Sequence, residues 1–290
     1  MTSATRVGFV GLGDIGKPMA LCLARRQESA GIELAVFDLA APPVEELVAA
    51  GAKAADGVAA LAAECHLLCV MVNNDAQVRS VVAEALDAVG GREGRLVILV
   101  HSTVAPGTPA ELASVAEQSG VGLLDAPVSG GAMGAADGEL AVLVGGADDD
   151  FGSARPVLDA MASKVVHAGP IGAGTRFKLA RNLMHYSAFA AATEAQRLAE
   201  AAGLDIVALG DVVRHTDALT GGPGAIMHRE TTAPLEPGSF WWGVFSHVRQ
   251  LADKDLEAAI ELADELGVDT PFARLARERL APGLGFPDAD

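Results

Sequence analysis

Short apolar runs separated by amphipathic stretches fill the first half of the chain. Residues 7–10 form the first run, and apolar positions at helical spacing follow over residues 15–26, so the pattern predicts a strand and then a helix. Residues 32–37 predict a second strand, 45–50 a helix, 66–72 a third strand and 75–89 an amphipathic helix. A strand over 96–100, a helix over 108–119 and two further strands over 121–124 and 140–144 complete the series. Strands alternating with helices predict parallel βαβ units in a doubly wound sheet.

The pattern changes at the breaker cluster Gly169-Pro-Ile-Gly-Ala-Gly174. An alanine-rich run without Pro or Gly then extends from Thr175 to Ala202 and stops at Gly203. At about 1.5 Å per residue this helix would be roughly 40 Å long. The remainder is mostly helical, with Val244, Val248, Leu251, Leu256, Ala259, Ile260, Ala263 and Leu266 at helical spacing. These patterns predict an α/β domain over residues 1–168 and an all-α domain over 169–290. No internal repeat or low-complexity linker interrupts them.

Gly11-Leu12-Gly13-Asp14-Ile15-Gly16 fits G-x-G-x-x-G, follows the first strand and opens the first helix. The first glycine permits a tight turn, the second lets backbone approach a pyrophosphate, and the third lets helix and strand pack closely. Free N–H groups at the helix start would meet the phosphates. Gly11, Gly13, Asp14, Ile15 and Gly16 are therefore candidates for holding a dinucleotide. The second strand ends at Asp38, 22 residues after Gly16. A carboxylate there can accept from ribose hydroxyls and would repel a 2′-phosphate, and residues 39–44 supply no Arg or Lys to hold one. These features predict NAD over NADP.

Two further features carry chemistry. The segment from Asp125 to Gly134 is glycine-rich and follows a strand, so backbone N–H groups could converge on an anion, with Ser129 as an added donor. Lys178 and Asn182 share a helix face at the start of the long helix. The positive end of that helix and burial in a cleft would both lower the Lys178 pKa toward the value a general acid/base needs.

Composition narrows the partners. A 290-residue chain that is 50% hydrophobic and 20% charged can bury a substantial core. Its net charge of −17 disfavours nucleic acid and anionic membrane surfaces. The three cysteines, Cys22, Cys65 and Cys69, show no disulfide framework, and Cys65-His66 with Cys69 reads as part of a buried strand rather than a metal site. No apolar stretch is long enough to span a bilayer and the N-terminus has no signal-peptide pattern, so a reducing cytoplasm is the expected location.

GFVGLGDIGKPMA, the Ser102-Thr-Val-Ala-Pro-Gly-Thr stretch, DAPVSGGAMGAADGEL, Lys178 with Asn182, and Lys254-Asp-Leu256 occur in that order. Together they resemble the β-hydroxyacid dehydrogenases, the group of 3-hydroxyisobutyrate dehydrogenase and tartronate semialdehyde reductase, along nearly the whole chain. The resemblance implies a Rossmann-type doubly wound α/β domain followed by an all-α C-terminal domain. It implies hydride transfer between the nicotinamide of NAD and a 3-hydroxyacid, or the matching semialdehyde, without a metal. Lys178 would be the general acid/base. Ser129, Gly130 and Gly131 would hold substrate, and Asn182 would orient substrate or Lys178. Val72, Asn73, Thr103 and Lys254 would lie near the cofactor. A homodimer or homotetramer joined through the helical domain is also implied.

The chain departs from that family in places. Arg181 stands where a second Asn is usual, His101 where Asp is frequent, and Val72-Asn73 where Leu-Pro is usual. Phe240, Trp241, Trp242 and Phe245 fall within six residues of a chain only 4% aromatic, and His247 follows. The aromatic run either packs the helical domain or a subunit interface, or walls the substrate pocket with His247 or Arg181 contacting substrate. Imine reduction and a catalytically inactive NAD-binding protein are rival functions. Relatives of both kinds lack the lysine, so Lys178 argues against each.

Overall fold

The computed structural model describes residues 4–90, 92 and 94–287. It divides into two compact units, Met1–Arg181 and Asn182–Asp290.

The first unit begins with β1 (Thr5–Val10), α1 (Gly16–Arg25), the single turn α2 (Gln27–Ala30) and β2 (Ile32–Phe37). Next come α3 (Ala41–Ala49), the two-residue β3 (Lys53–Ala54), α4 (Val58–Glu64), β4 (Leu67–Val70), α5 (Asp75–Asp87), β5 (Val97–Val100) and α6 (Thr108–Gln118). The unit continues through β6 (Gly122–Asp125), β7 (Val128–Ser129), α7 (Gly131–Asp137), β8 (Leu140–Gly145), α8 (Asp148–Asp159) and β9 (Ala162–Gly169). Across the sheet the strands run β3-β2-β1-β4-β5-β6-β8-β7, with β9 also paired to β8. Pairing is parallel from β3 to β6, β8 is antiparallel to β6 and β7, and β9 is parallel to β8.

The central strands are covered on both faces, which is why they read as unbroken apolar runs. Val7, Phe9, Leu67, Cys69, Val97, Leu99 and Leu124 face one core, while Val10, Leu68, Val70, Ile98, Val100 and Leu123 face the other. The period of two sends successive residues to opposite layers. Strand order reverses on either side of β1, whose neighbours are β2 and β4, so a crevice opens beyond the carboxyl ends of β1 and β4.

Several elements had no counterpart in the predicted pattern. β3 and β7 are two residues each, too short to show alternation, and α7 starts on glycines. β9 is only partly buried over most of its length, so its residues lack a clear apolar run.

The helix α9 (Ala173–Ala201) carries the chain from the first unit into the second. There follow α10 (Ile206–Thr220), a 3-10 turn (Gly222–Ile226), α11 (Phe240–Glu265) and α12 (Pro271–Leu284). Asp205 caps α10 by accepting from Val207 N and Ala208 N, and Ser239 caps α11 by accepting from Trp242 N. The buried Glu194 of α9 accepts from Phe272 N and Ala273 N at 2.8 and 3.1 Å, satisfying the first amides of α12. The core of this unit gathers Leu235, Phe245, Leu284 and Phe286, with Trp241 and Trp242 packed against it. Trp242 meets Phe286 edge-on at 5.0 Å, which packs the start of α11 against the residues just after α12; Trp241 lies 5.4 Å from Phe245 within α11, and Phe240 stays 75% exposed. By contrast, α10 buries none of its residues. Among the described residues no helix is long and apolar enough to cross a membrane.

Candidate active site

The glycine turn joins β1 to α1 at the crevice. Gly11 has φ +91°, and a Cβ there would stand 2.2 Å from the Met71 carbonyl oxygen, so the end of β4 closes on the turn. A Cβ on Gly16 would stand 2.0 Å from the Gly11 carbonyl oxygen, which lets α1 begin directly against the turn. Around Gly13 nothing lies within 4 Å of such an atom. Two of the three glycines are thus required by the protein's own packing, and the third leaves open backbone facing the crevice.

Asp38 follows β2 and turns back to the same place. Its Oδ2 accepts from Leu12 N at 2.6 Å and its Oδ1 from Ala40 N at 2.8 Å. The carboxylate is therefore fixed beside the glycine turn by two backbone amides. A cleft of about 410 Å³ opens here, with Gly11, Gly13, Asp38, Val72 and Asn73 on its walls together with Val58, Val81 and Glu84. Among the described residues no Lys or Arg lines it, and the ionisable lining groups are the carboxylates of Asp38 and Glu84. Open backbone, a helix start and a carboxylate bonded to the turn fit a dinucleotide. Asp14 and Ile15 sit in the turn itself, and Ile15 immediately precedes α1.

The wall after β4 is held by Ser102, a residue to which the sequence pattern assigns no role. Ser102 Oγ accepts from Val72 N at 2.9 Å and donates to Val72 O at 2.8 Å, so one hydroxyl occupies both polar groups of Val72. Asn74 caps α5, accepting from Gln77 N, and Asp75 accepts from Ala105 N and from Thr108 Oγ1. These bonds tie the loops after β4 and β5 together, and the exposed Thr103 lies in the second of them. His101 is wholly buried, stacks on Phe9, and has Nδ1 2.8 Å from Ala126 O. Burial pushes its pKa down to about 4, so it is a neutral core residue.

The second cluster lies where α9 begins. Lys178 Nζ donates to Ser129 Oγ at 2.9 Å, and Lys178 is only 8% exposed. Burial, and then the Arg181 guanidinium one turn further on, bring its pKa down to about 8. The residue that departs from the family pattern therefore acts directly on the lysine. Ser129 ends β7, and Gly130 and Gly131, with φ +135° and +67°, turn the chain into α7.

Asp125 anchors this arrangement. It ends β6, is 1% exposed, and accepts from Gly172 N at 2.7 Å and Thr175 N at 2.6 Å. Burial raises its pKa, and the two amides oppose that rise. The visible signal was a carboxylate placed immediately after a buried apolar run. Of the remaining sequence candidates, Asn182 follows four residues after Lys178 on α9, while the exposed His247 and Lys254 lie on α11 in the second unit. Lys254 Nζ pairs with Asp255 at 3.2 Å. Among the described residues no group of three His, Cys, Asp or Glu could hold a metal ion.

Comparison with known proteins adds to this geometry. Residues 6–169 match the NAD binding domain of 6-phosphogluconate dehydrogenase, and residues 172–284 match the NAD-binding domain of NADP-dependent 3-hydroxyisobutyrate dehydrogenase. The chain is 34% identical to 3-hydroxyisobutyrate dehydrogenase of Pseudomonas aeruginosa, across 94% of this chain and 90% of that one. It is 32% identical to an NAD-dependent L-serine dehydrogenase of the same organism, across 98% and 95%. A crystal structure from Mycobacterium avium, described without a substrate as a candidate oxidoreductase, is 48% identical with a TM-score of 0.90, over 97% of this chain and 99% of that one.

Proposed function

The chain belongs to the β-hydroxyacid dehydrogenase family, and from that premise we propose that it oxidises a 3-hydroxyacid with NAD, or reduces the matching semialdehyde, with Lys178 as general acid/base. The observation that carries this reading is the buried Lys178 in hydrogen-bond contact with Ser129. NAD, when bound, supplies the hydride acceptor at its nicotinamide.

In oxidation the neutral Lys178 amine takes the proton of the substrate hydroxyl at Nζ; in reduction the ammonium returns one to the carbonyl oxygen. A pKa of about 8 keeps both forms accessible near neutral pH. Ser129 orients the amine and donates to substrate, with the amides of Gly130 and Gly131 beside it. Asn182, Arg181 and His247 are the further substrate-contact candidates, and Thr103, Val72, Asn73 and Lys254 the candidates at the cofactor. The named substrates of the two relatives, 3-hydroxyisobutyrate and L-serine, both carry a hydroxymethyl group on the carbon that bears the carboxylate. The same substrate class is proposed here.

NAD is proposed over NADP. Support comes from the fixed Asp38 carboxylate and a cleft lined by Asp38 and Glu84 without a cation. A homo-oligomer, dimer or tetramer, built through the helical unit is also proposed. Its support is α10, a 15-residue helix that buries nothing and exposes Val207, Val212 and Leu219 by 68%, 60% and 75%. Helices in water owe most of their stability to packing of an apolar face, and a second copy supplies one.

The test is a panel of 3-hydroxyacids and their semialdehydes, followed by NADH absorbance, with wild type and Lys178→Ala. Turnover of hydroxymethyl carboxylates by wild type, lost in Lys178→Ala while NAD binding persists, is the expected result. Wild-type activity in the variant would overturn the lysine's role. No turnover across the panel would favour an inactive NAD-binding protein.

A further inference from the structure

The carboxylate of Asp125 joins the two chain segments that carry the Lys178–Ser129 pair. On one side it receives Gly172 N and Thr175 N, at 2.7 and 2.6 Å, at the first turn of α9. Thr175 precedes Lys178 by three residues, less than one helical turn. On the other side Asp125 precedes Ser129 by four residues, and Ser129 is held in register with Ala141 of β8. A closed path therefore runs from Asp125 along the chain to Ser129, across the 2.9 Å contact to Lys178, down α9 to Thr175 and back to Asp125.

The packing around this path leaves little slack. A Cβ on Gly174 would stand 2.2 Å from Leu143 O and 2.6 Å from Asp125 O. A Cβ on Gly145, the residue paired with Asp125 in the sheet, would stand 2.4 Å from Asp125 Oδ1 and 2.8 Å from Ala173 N. Helix backbone thus rests closely on the ends of β6 and β8, and the Asp125 carboxylate is the side chain that bonds across that contact. The first amides of a helix need acceptors, and an anion there also offsets the positive end of the helix dipole.

We propose that Asp125 is the positioning residue for the acid/base lysine, fixing the Lys178–Ser129 distance and moderating the helix field at the amine. This inference rests on the reading of Lys178 as acid/base given above. It makes no demand on substrate identity.

Asp125→Asn tests it. The amide keeps the side chain's size, but its NH2 faces a backbone N–H in place of an acceptor. The expected result, per folded enzyme counted by NADH binding, is a kcat lower by about tenfold to a hundredfold, the scale of a sub-ångström to ångström misplacement. The KM for NAD stays within about twofold, because the glycine turn and Asp38 lie elsewhere on the sheet. In the direction of semialdehyde reduction the alkaline limb moves to lower pH, since the carboxylate no longer offsets the positive end of α9 and the neutral amine is favoured. Wild-type kcat and pH profile in the folded variant would overturn the proposal. Asp125→Ser, which retains one capping acceptor, carries the same test if the Asn variant does not fold. Failure of both to fold would also overturn it, making Asp125 a residue of the fold alone. Lys178→Ala run in parallel separates the two readings. If that variant is inactive and Asp125→Asn is normal, only the positioning inference fails; if Lys178→Ala is active, the acid/base reading fails.

Discussion

Lys178 Nζ donates a hydrogen bond to Ser129 Oγ across 2.9 Å, joining residues 49 positions apart. Burial and Arg181 bring the lysine's pKa down to about 8. Oxidation needs the neutral amine, so kcat/KM for the hydroxyacid should rise with pH and level off above about 8. Reduction needs the ammonium, so kcat/KM for the semialdehyde should fall above about the same pH. Arg181→Asn removes a cation beside the amine and should move both limbs to higher pH. Stopped-flow or steady-state pH profiles in the two directions check this, and identical slopes in both directions would contradict it.

Gly11 and Gly13 should respond in opposite ways to the same substitution. Gly11→Ala forces a Cβ against the Met71 carbonyl at φ +91° and should destabilise the fold by about 2 kcal/mol or more. Gly13→Ala meets open space, so its melting temperature should stay near wild type. NAD binding to Gly13→Ala should still weaken by about tenfold or more, a cost of about 1.4 kcal/mol. Thermal melts and NADH fluorescence titration of the two variants separate packing from ligand approach.

Asp38 is held beside Leu12, and among the described residues no cation lines the cleft. Wild type should favour NAD over NADP in kcat/KM. Asp38→Asn should narrow that preference mainly by lowering the KM for NADP. A wild-type preference for NADP would sink the argument from Asp38.

His101 gives the protein a sensitivity to acid. Its pKa is about 4 when folded against an ordinary value of 6.5, so the unfolded chain binds the proton more readily. Stability from this group is therefore complete above about pH 6.5 and is lost as pH falls toward 4, about 2 kcal/mol by pH 5. His101→Leu should flatten that part of the profile. Urea midpoints at pH 7 and pH 5 measure the difference, and an equal drop in both proteins would refute it.

The uncovered face of α10 should be an interface between copies. Light scattering should give a mass of at least two chains for wild type at micromolar concentration. Val212→Glu with Leu219→Glu, on one face of the helix, should lower it. A monomeric wild type would refute the prediction.

The amino-acid sequence by itself determined the features whose signal is local and strong. Unbroken apolar runs predicted the central strands, because both of their faces are buried. The glycine spacing of 11, 13 and 16 predicted the turn, because backbone freedom belongs to the residue type. The Asp125–Gly134 segment, with Lys178 and Asn182, carried the family resemblance. Tertiary structure decided what depends on residues distant in the chain. The period pattern could not reveal that Ser102 holds Val72, that Glu194 caps a helix starting near residue 271, or that His101 is a core residue. Nor could it reveal that Arg181 depresses the Lys178 pKa, which follows only once burial has removed the screening water. The Asp125 carboxylate is the clearest case: it sits in the quoted motif, yet its partners are amides 47 and 50 residues away. Only the close approach of α9 to the strand ends brings those amides to it.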